Sequence, residues 1–311
     1  MALATALSLL VGRYPRPGFL PLHDLANDPL ALRVLLELRA PRTIAALILG
    51  ASLAGAGVVM QMLFANPLVE PGLVGVQQGA ALGAAGAIVT LGARWWAVQI
   101  AAGFGGLAGI GLSYWIAKRI RFGGWILRLV LSGIAVSALF SAALGAVKFL
   151  ADPLSELPEI TFWMLGGLWN TSWSSLAAVL PVVVISLVIL VLGRWRLNVL
   201  SLQDRVSFSL GAAPGRERVV LLVAATVAVA GVISIAGIVS WVGLIVPHAA
   251  RRLLRADAVV ALPAAMLLGG TFTLLADTLA RSAVPGEIPL GIVTSLVGAG
   301  AFLALMLRNQ I

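Results

Sequence analysis

The chain has 311 residues, 60% of them hydrophobic and 11% charged, with a mean hydropathy of +1.05. Soluble domains carry about 25% charged residues, so this composition excludes a soluble globular protein and defines a polytopic membrane protein. Cysteine is absent, which excludes disulfides, thiolate metal sites and cysteine nucleophiles. The net charge of +9 needs no nucleic acid, because arginine-rich loops facing anionic lipid or an acidic partner account for it.

A span needs about 20 apolar residues to cross roughly 30 Å of hydrocarbon, which gives the chain room for nine or ten passes and no separate soluble domain. The 34 glycines and many alanines are the small residues that let membrane helices approach closely, so one all-α bundle over 1–311 is expected. Residues 2–11 are apolar but only about half a span long, a clipped first helix or the tail of one that starts upstream. They lack the basic flank of a cleaved signal peptide. Residues 13–42 read as a polar loop rich in Pro and Arg, and 43–64 as an uninterrupted helix.

The insert from Asn66 to Pro71 has two prolines four residues apart, with Asn before the first and Gly after the second, so it stops one helix and starts another over 72–92. Arg94, Trp95 and Trp96 then suit a membrane interface. The fourth span runs to Ala117 and is closed by Lys118, Arg119 and Arg121; the fifth covers 129–150. A polar excursion over 151–173 holds an amphipathic portion, 160–168, expected as a short interfacial helix. After the sixth span, 174–193, the segment from Ser201 to Gly211 reads as a short helix capped by Gly211.

Residues 219–247 total about 44 Å as helix, too long for one straight span and too short for two. Basic clusters bracket the tract, Arg216 and Arg218 before it and Arg251, Arg252 and Arg255 after it. Both ends therefore face the same side, and the tract must go out and return through a helix broken near Gly231 or Gly237. Residues 259–280, carrying Asp277, make the ninth span and 290–307 the tenth. Most basic residues fall on the inner side, yet Arg13, Arg16, Arg33, Arg39 and Arg42 fall outside, a surplus that suits a task other than setting orientation.

No Walker loop, dinucleotide fingerprint or nucleophile elbow is present, and His23 and His248 have no partners at metal-ligand spacing. No catalytic residue, metal site or enzyme activity is expected. Asp277 reads two ways, as a functional intramembrane acid or as an i, i+4 partner of Arg281. Gln61, Asn66, Gln77 and Gln78 likewise fit either hydrogen bonding between helices or a constriction in a pathway.

Taken together, Arg39-Ala40-Pro41-Arg42-Thr43, Gln61, Asn66-Pro67-Leu68-Val69-Glu70-Pro71-Gly72-Leu73-Val74-Gly75, Trp163-Met164-Leu165-Gly166-Gly167, Val242 to His248, Leu274-Leu275-Ala276-Asp277 and Ile288-Pro289-Leu290-Gly291 resemble the signature of FecCD-type permeases. The likeness runs from Arg33 onward, in order and at family spacing. It departs where Asp257 is followed by Ala258 and Val259 rather than a His-Arg or Gln-Arg pair, and where Gln77-Gln78 stand in place of a Ser/Asn pair.

These permeases are the membrane subunits of type II ABC importers for cobalamin, ferric siderophores and haem. The resemblance implies about ten transmembrane helices with a short eighth, in a homodimer seated on two cytoplasmic ATPases. ATP and Mg belong to those ATPases, and this chain needs no cofactor. A periplasmic or surface substrate-binding protein docks outside, where Arg39, Arg42 and Arg281 match arginines that pair with its glutamates. Asn66 matches a cytoplasmic gate loop, with Gln61, Gln77 and Gln78 beside the pathway. The segment at about 202–215, with Gln203, Asp204, Arg205, Ser207, Phe208, Leu210 and Gly211, matches the helices gripped by the ATPase. The expected place is the cytoplasmic (inner) membrane, multi-pass. Molybdate or tungstate import within the same fold, and ion-coupled secondary transport, are the alternatives.

Overall fold

The computed structural model describes residues 1–14 and 16–308. It is a helical bundle, and among the described residues the one departure from an all-α fold is a two-residue antiparallel pairing, β1 (Val11–Gly12) with β2 (Gly18–Phe19). Helix α1 (Ala2–Leu10) is short, as its half-span of apolar sequence dictates, and packs on the outer ends of later helices.

The first long helix begins earlier than the polarity of the sequence suggests. After α2 (Leu22–Asn27), the Asp28 side chain accepts the Leu30 N–H at 2.9 Å, and Pro29 occupies the first helical turn, where its missing N–H costs nothing. Helix α3 (Pro29–Arg33) runs through a π-turn at Val34–Arg39 into α4 (Ala40–Leu63), so 13–42 is not one loop. Pro41 explains the π-turn. It cannot donate to the carbonyl of Glu37 and its ring crowds that group, and the wider turn relieves both.

Helix α4 ends with Ala65 in the left-handed region, φ 47°; the Ala65 N–H bonds Met62 O and the Asn66 N–H bonds Gln61 O, closing the last turn. A 3₁₀ turn at Pro71–Val74 and a left-handed Gly75 then start α5 (Val76–Leu91), four residues later than the sequence suggests. Helices α6 (Trp95–Arg119) and α7 (Trp125–Leu150) follow, then the short α8 (Glu156–Leu165), shifted towards the N-terminus of the amphipathic stretch because Glu156 and Glu159 favour its first turn. Helix α9 (Trp173–Leu192) starts on a Ser172–Ser175 capping box.

On the inner side lie α10 (Arg194–Leu200) and α11 (Asp204–Ser209). Helix α12 (Pro214–Ala236) breaks at Gly237, whose φ of 65° suits a residue without Cβ, and after an extended turn α13 (Val242–Leu253) returns inward. Of the two hinges expected, Gly237 is the one used. Helices α14 (Ala258–Ser282) and α15 (Leu290–Arg308) complete the bundle.

Six of these helical runs are long and apolar enough to cross a membrane, and α5 and α15 are shorter apolar helices. The tightest packing joins α4 to α14 and α5 to α6. A Cβ on Gly79 would lie 2.1 Å from Gly105 O, so small residues let α5 and α6 touch backbone to backbone. A second close approach surrounds the break after α12. The Gly167 N–H donates to Ala236 O at 2.8 Å, the Gly291 N–H donates to Gly166 O at 3.3 Å, and a Cβ on Gly166 would strike Ile238 O. The end of α8, the end of α12 and the start of α15 therefore meet at one node.

Candidate functional site

Three groups of residues form at three depths. On the outer side, the π-turn carries Arg39 inward until its guanidinium donates to Leu9 O at 2.9 Å, Leu10 O at 3.1 Å and Tyr14 O at 3.1 Å. One turn later Arg42 holds two acids. Its Nε and Nη2 donate to Asp277 on α14 at 2.9–3.0 Å, and its Nη1 donates to Glu287 at 2.8 and 3.0 Å. Arg281 donates to Ser8 O and Ser8 Oγ and lies 3.7 Å from Asp277.

Asp277 thus pairs with Arg281 as its i, i+4 spacing suggests, but its main partner is Arg42, 235 residues away. Arg39 and Arg281 are buried, at 4% and 8% exposure, and Arg42 is largely covered. All three line a cleft of about 310 Å³ with Arg13, Thr171, Trp169 and Glu287. A guanidinium forks onto planar carboxylates, so this cleft is built to hold acidic groups. Arg13 and Glu287 complete its lining, and Asp277 lies behind Arg42. None was assigned to docking from sequence, because Glu287 sits in a short loop and the Arg42 to Asp277 pairing is non-local.

At the inner end of α4, Gln61 is a hub. Its Nε2 donates to Val69 O at 3.4 Å in the loop, and to Gly243 O and Leu244 O on α13 at 3.3 and 3.2 Å. Its Oε1 accepts from Arg251 Nη2 at 2.5 Å. The Glu70 carboxylate accepts the N–H of Trp241, the residue that opens α13 with a left-handed φ of 74°. A bulky residue in that conformation is strained, and the acid at the helix N-terminus stabilises it. The loop over 64–75 is therefore clamped to α13 at two points.

Asn66 shapes the turn. Its Oδ1 accepts the Leu68 N–H at 2.9 Å, and the residue is otherwise exposed. The half-buried Gln77 lies against Gly72, where an added Cβ would meet its amide, and Gln78 is half-buried on α5. The structure brings Gln61 into the clamp and leaves Asn66, Gln77 and Gln78 outside it. Glu70 and Arg251 are the members that sequence reasoning left without a role, although Glu70 lay inside the quoted signature.

The third group is the inner surface. The Ala212 N–H bonds Ser207 O and the Gly211 N–H bonds Phe208 O, so Gly211, φ 77°, caps α11 as its sequence predicts. Buried Ser207 donates to Val199 O at 2.7 Å, and buried Arg218 donates to Asp204 at 2.6 Å and Leu200 O at 2.8 Å. These bonds fix α11 to α10 and α12. Gln203, Asp204, Arg205, Phe208, Leu210 and Gly211 remain exposed, Phe208 at 74%, beside Leu202 and Val206. Ser207 thus positions the surface rather than forming it. Arginines 194, 196, 205 and 216 around it place it outside the hydrocarbon, so its apolar side chains face water or a partner rather than lipid.

A many-helix bundle with a broken intramembrane helix, polar clusters at both ends and an exposed apolar knob on its inner side defines a multi-pass transport permease. Residues 1–308 match the model of the FecCD transport family. Similar chains include a probable iron chelatin transport system permease protein of Helicobacter pylori, 40% identical over 93% of this chain and 87% of its own length. The molybdate import system permease protein MolB of Haemophilus influenzae is 37% identical over 99% of this chain and 93% of its own. A solved structure titled as an inward-facing metal-chelate type ABC transporter superposes with a TM-score of 0.91 at 34% identity, covering 99% of this chain and 96% of that one. The chain belongs to the FecCD transport family.

Proposed function

We propose that this chain is the membrane-spanning subunit of an ATP-driven ABC importer in the cytoplasmic membrane, taking up a metal chelate such as a ferric siderophore, haem or cobalamin. A second copy pairs with it, two ATPases bind inside, and a substrate-binding protein docks outside. The similarity to an iron-chelate permease and to a metal-chelate transporter across nearly the whole chain carries this reading. The arginine cleft receives acidic side chains of the binding protein, and the exposed Leu202, Val206, Phe208 and Leu210 enter a groove of the ATPase. Force on α11 then passes through Ser207 and Arg218 into α10 and α12, and from α12 to α13 and the clamped gate loop.

The clamp on Asp277 weighs against ion-coupled transport. A proton carrier needs an acid free to change partners, whereas three bonds from Arg42 occupy this one. The MolB relative supports a second reading, uptake of a molybdate or tungstate oxyanion through the same scaffold. Proteoliposomes containing the permease, its ATPase and its binding protein test both, with radiolabelled ferric siderophore, haem, cobalamin and molybdate offered in turn. ATP-dependent uptake of one chelate is expected. Molybdate uptake alone would select the second reading, and uptake driven by an ion gradient with the permease alone would refute the importer.

A further inference from the structure

The outer cleft carries more positive charge than its own acids neutralise. Arg13, Arg39, Arg42 and Arg281 line it, against Glu287 in the cleft and Asp277 behind Arg42. Buried polar atoms in its wall are also left without a hydrogen-bond partner: Arg13 Nε, Arg281 Nε and Thr171 Oγ1. Such atoms in a folded protein call for an explanation, and an entering acceptor supplies one.

The two acids differ in how firmly they are held. Asp277 is 1% exposed and accepts three bonds from Arg42, with Arg281 on its other side. Glu287 is 38% exposed, stands on the loop between α14 and α15, and among the described residues bonds Arg42 Nη1 alone. Asp277 cannot leave without stranding two buried cations, whereas Glu287 can swing into water at little cost.

We propose that Glu287 is an internal stand-in carboxylate. In the free permease it occupies Arg42 Nη1, and during docking an acidic side chain of the binding protein displaces it there. This rests on the docking reading above and adds regulation of that site. Exchanging one carboxylate for another keeps Arg42 Nη1 paired throughout, while Asp277 goes on holding Nε and Nη2. It also makes docking weaker than the arginines alone would give, since the incoming acid competes with a tethered one at high effective concentration.

The test measures affinity of the substrate-binding protein encoded beside this permease, fluorescently labelled, for the permease–ATPase complex in nanodiscs. Wild type is compared with Glu287→Gln, Glu287→Asp and Arg13→Glu. The structure predicts about fivefold tighter binding for E287Q, the size expected on removing a part-exposed competing ion pair. E287D, which withdraws the carboxylate by one methylene, should give a smaller gain and serves if E287Q fails to assemble. R13E should weaken binding. Unchanged or weaker binding by the Glu287 variants with weakened binding by R13E would overturn the stand-in and leave docking intact. No change in any variant would overturn docking at this cleft, and the stand-in with it.

Discussion

Asp277→Asn tests whether burial sets the energetics of the outer cluster. The substitution keeps the shape and removes the charge that serves two covered cations, Arg42 and Arg281. Removing one partner of a buried pair costs about 3 to 5 kcal/mol, because the remaining charge stays desolvated. The exposed half of the same cluster behaves differently, since loss of Glu287 removes a pair worth at most about 1 kcal/mol. Unfolding entropy of about 2.1 cal/mol/K per residue gives roughly 0.65 kcal/mol per degree for a chain of this size. The purified permease in detergent should therefore melt about 5 to 8 °C lower with D277N, and within about 2 °C of wild type with E287Q. A thermal-shift series on the three proteins reads both values. Equal shifts for the two variants would show that burial does not rank these acids, and the reasoning would fail.

Gly79→Ala places a methyl group 2.1 Å from a backbone oxygen of α6 that cannot move alone. It should cost about 1 to 3 kcal/mol in the same assay, and an unshifted melting temperature would mean that α5 and α6 pack less closely than described. Phe208→Glu puts a charge on the exposed inner knob, so the ATPase should no longer co-purify while the melting temperature of the permease itself stays put. Intact co-purification would move the coupling contact elsewhere.

Much of the architecture was legible because membrane spans are written in one dimension. Apolar run lengths located the helices, and the basic residues flanking 219–247, with the length of that tract, required a return that the structure makes at Gly237. The cap at Gly211 followed from local backbone chemistry. What polarity hid was the helix through residues 29–39, because Pro41 and the charged residues resemble a loop until a π-turn accommodates them. The sites were legible in part. Arg39, Arg42 and Arg281 do converge, but their acids could not be paired from spacing, since Asp277 and Glu287 reach Arg42 only after α4 and α14 have packed. The role of Glu70 was hidden for the same reason, its partner being a backbone N–H at Trp241, a group every non-proline residue carries.

The node where α8, α12 and α15 meet has a consequence for how the protein is made. The chain turning after Ala236 finds Gly167 as a donor and Gly166 against Ile238 O once α8 is present, but the Gly291 N–H that satisfies Gly166 O arrives only with the start of α15. During synthesis α12 and α13 therefore emerge before the residues that seal the turn between them. The node is therefore complete only once α15 has packed.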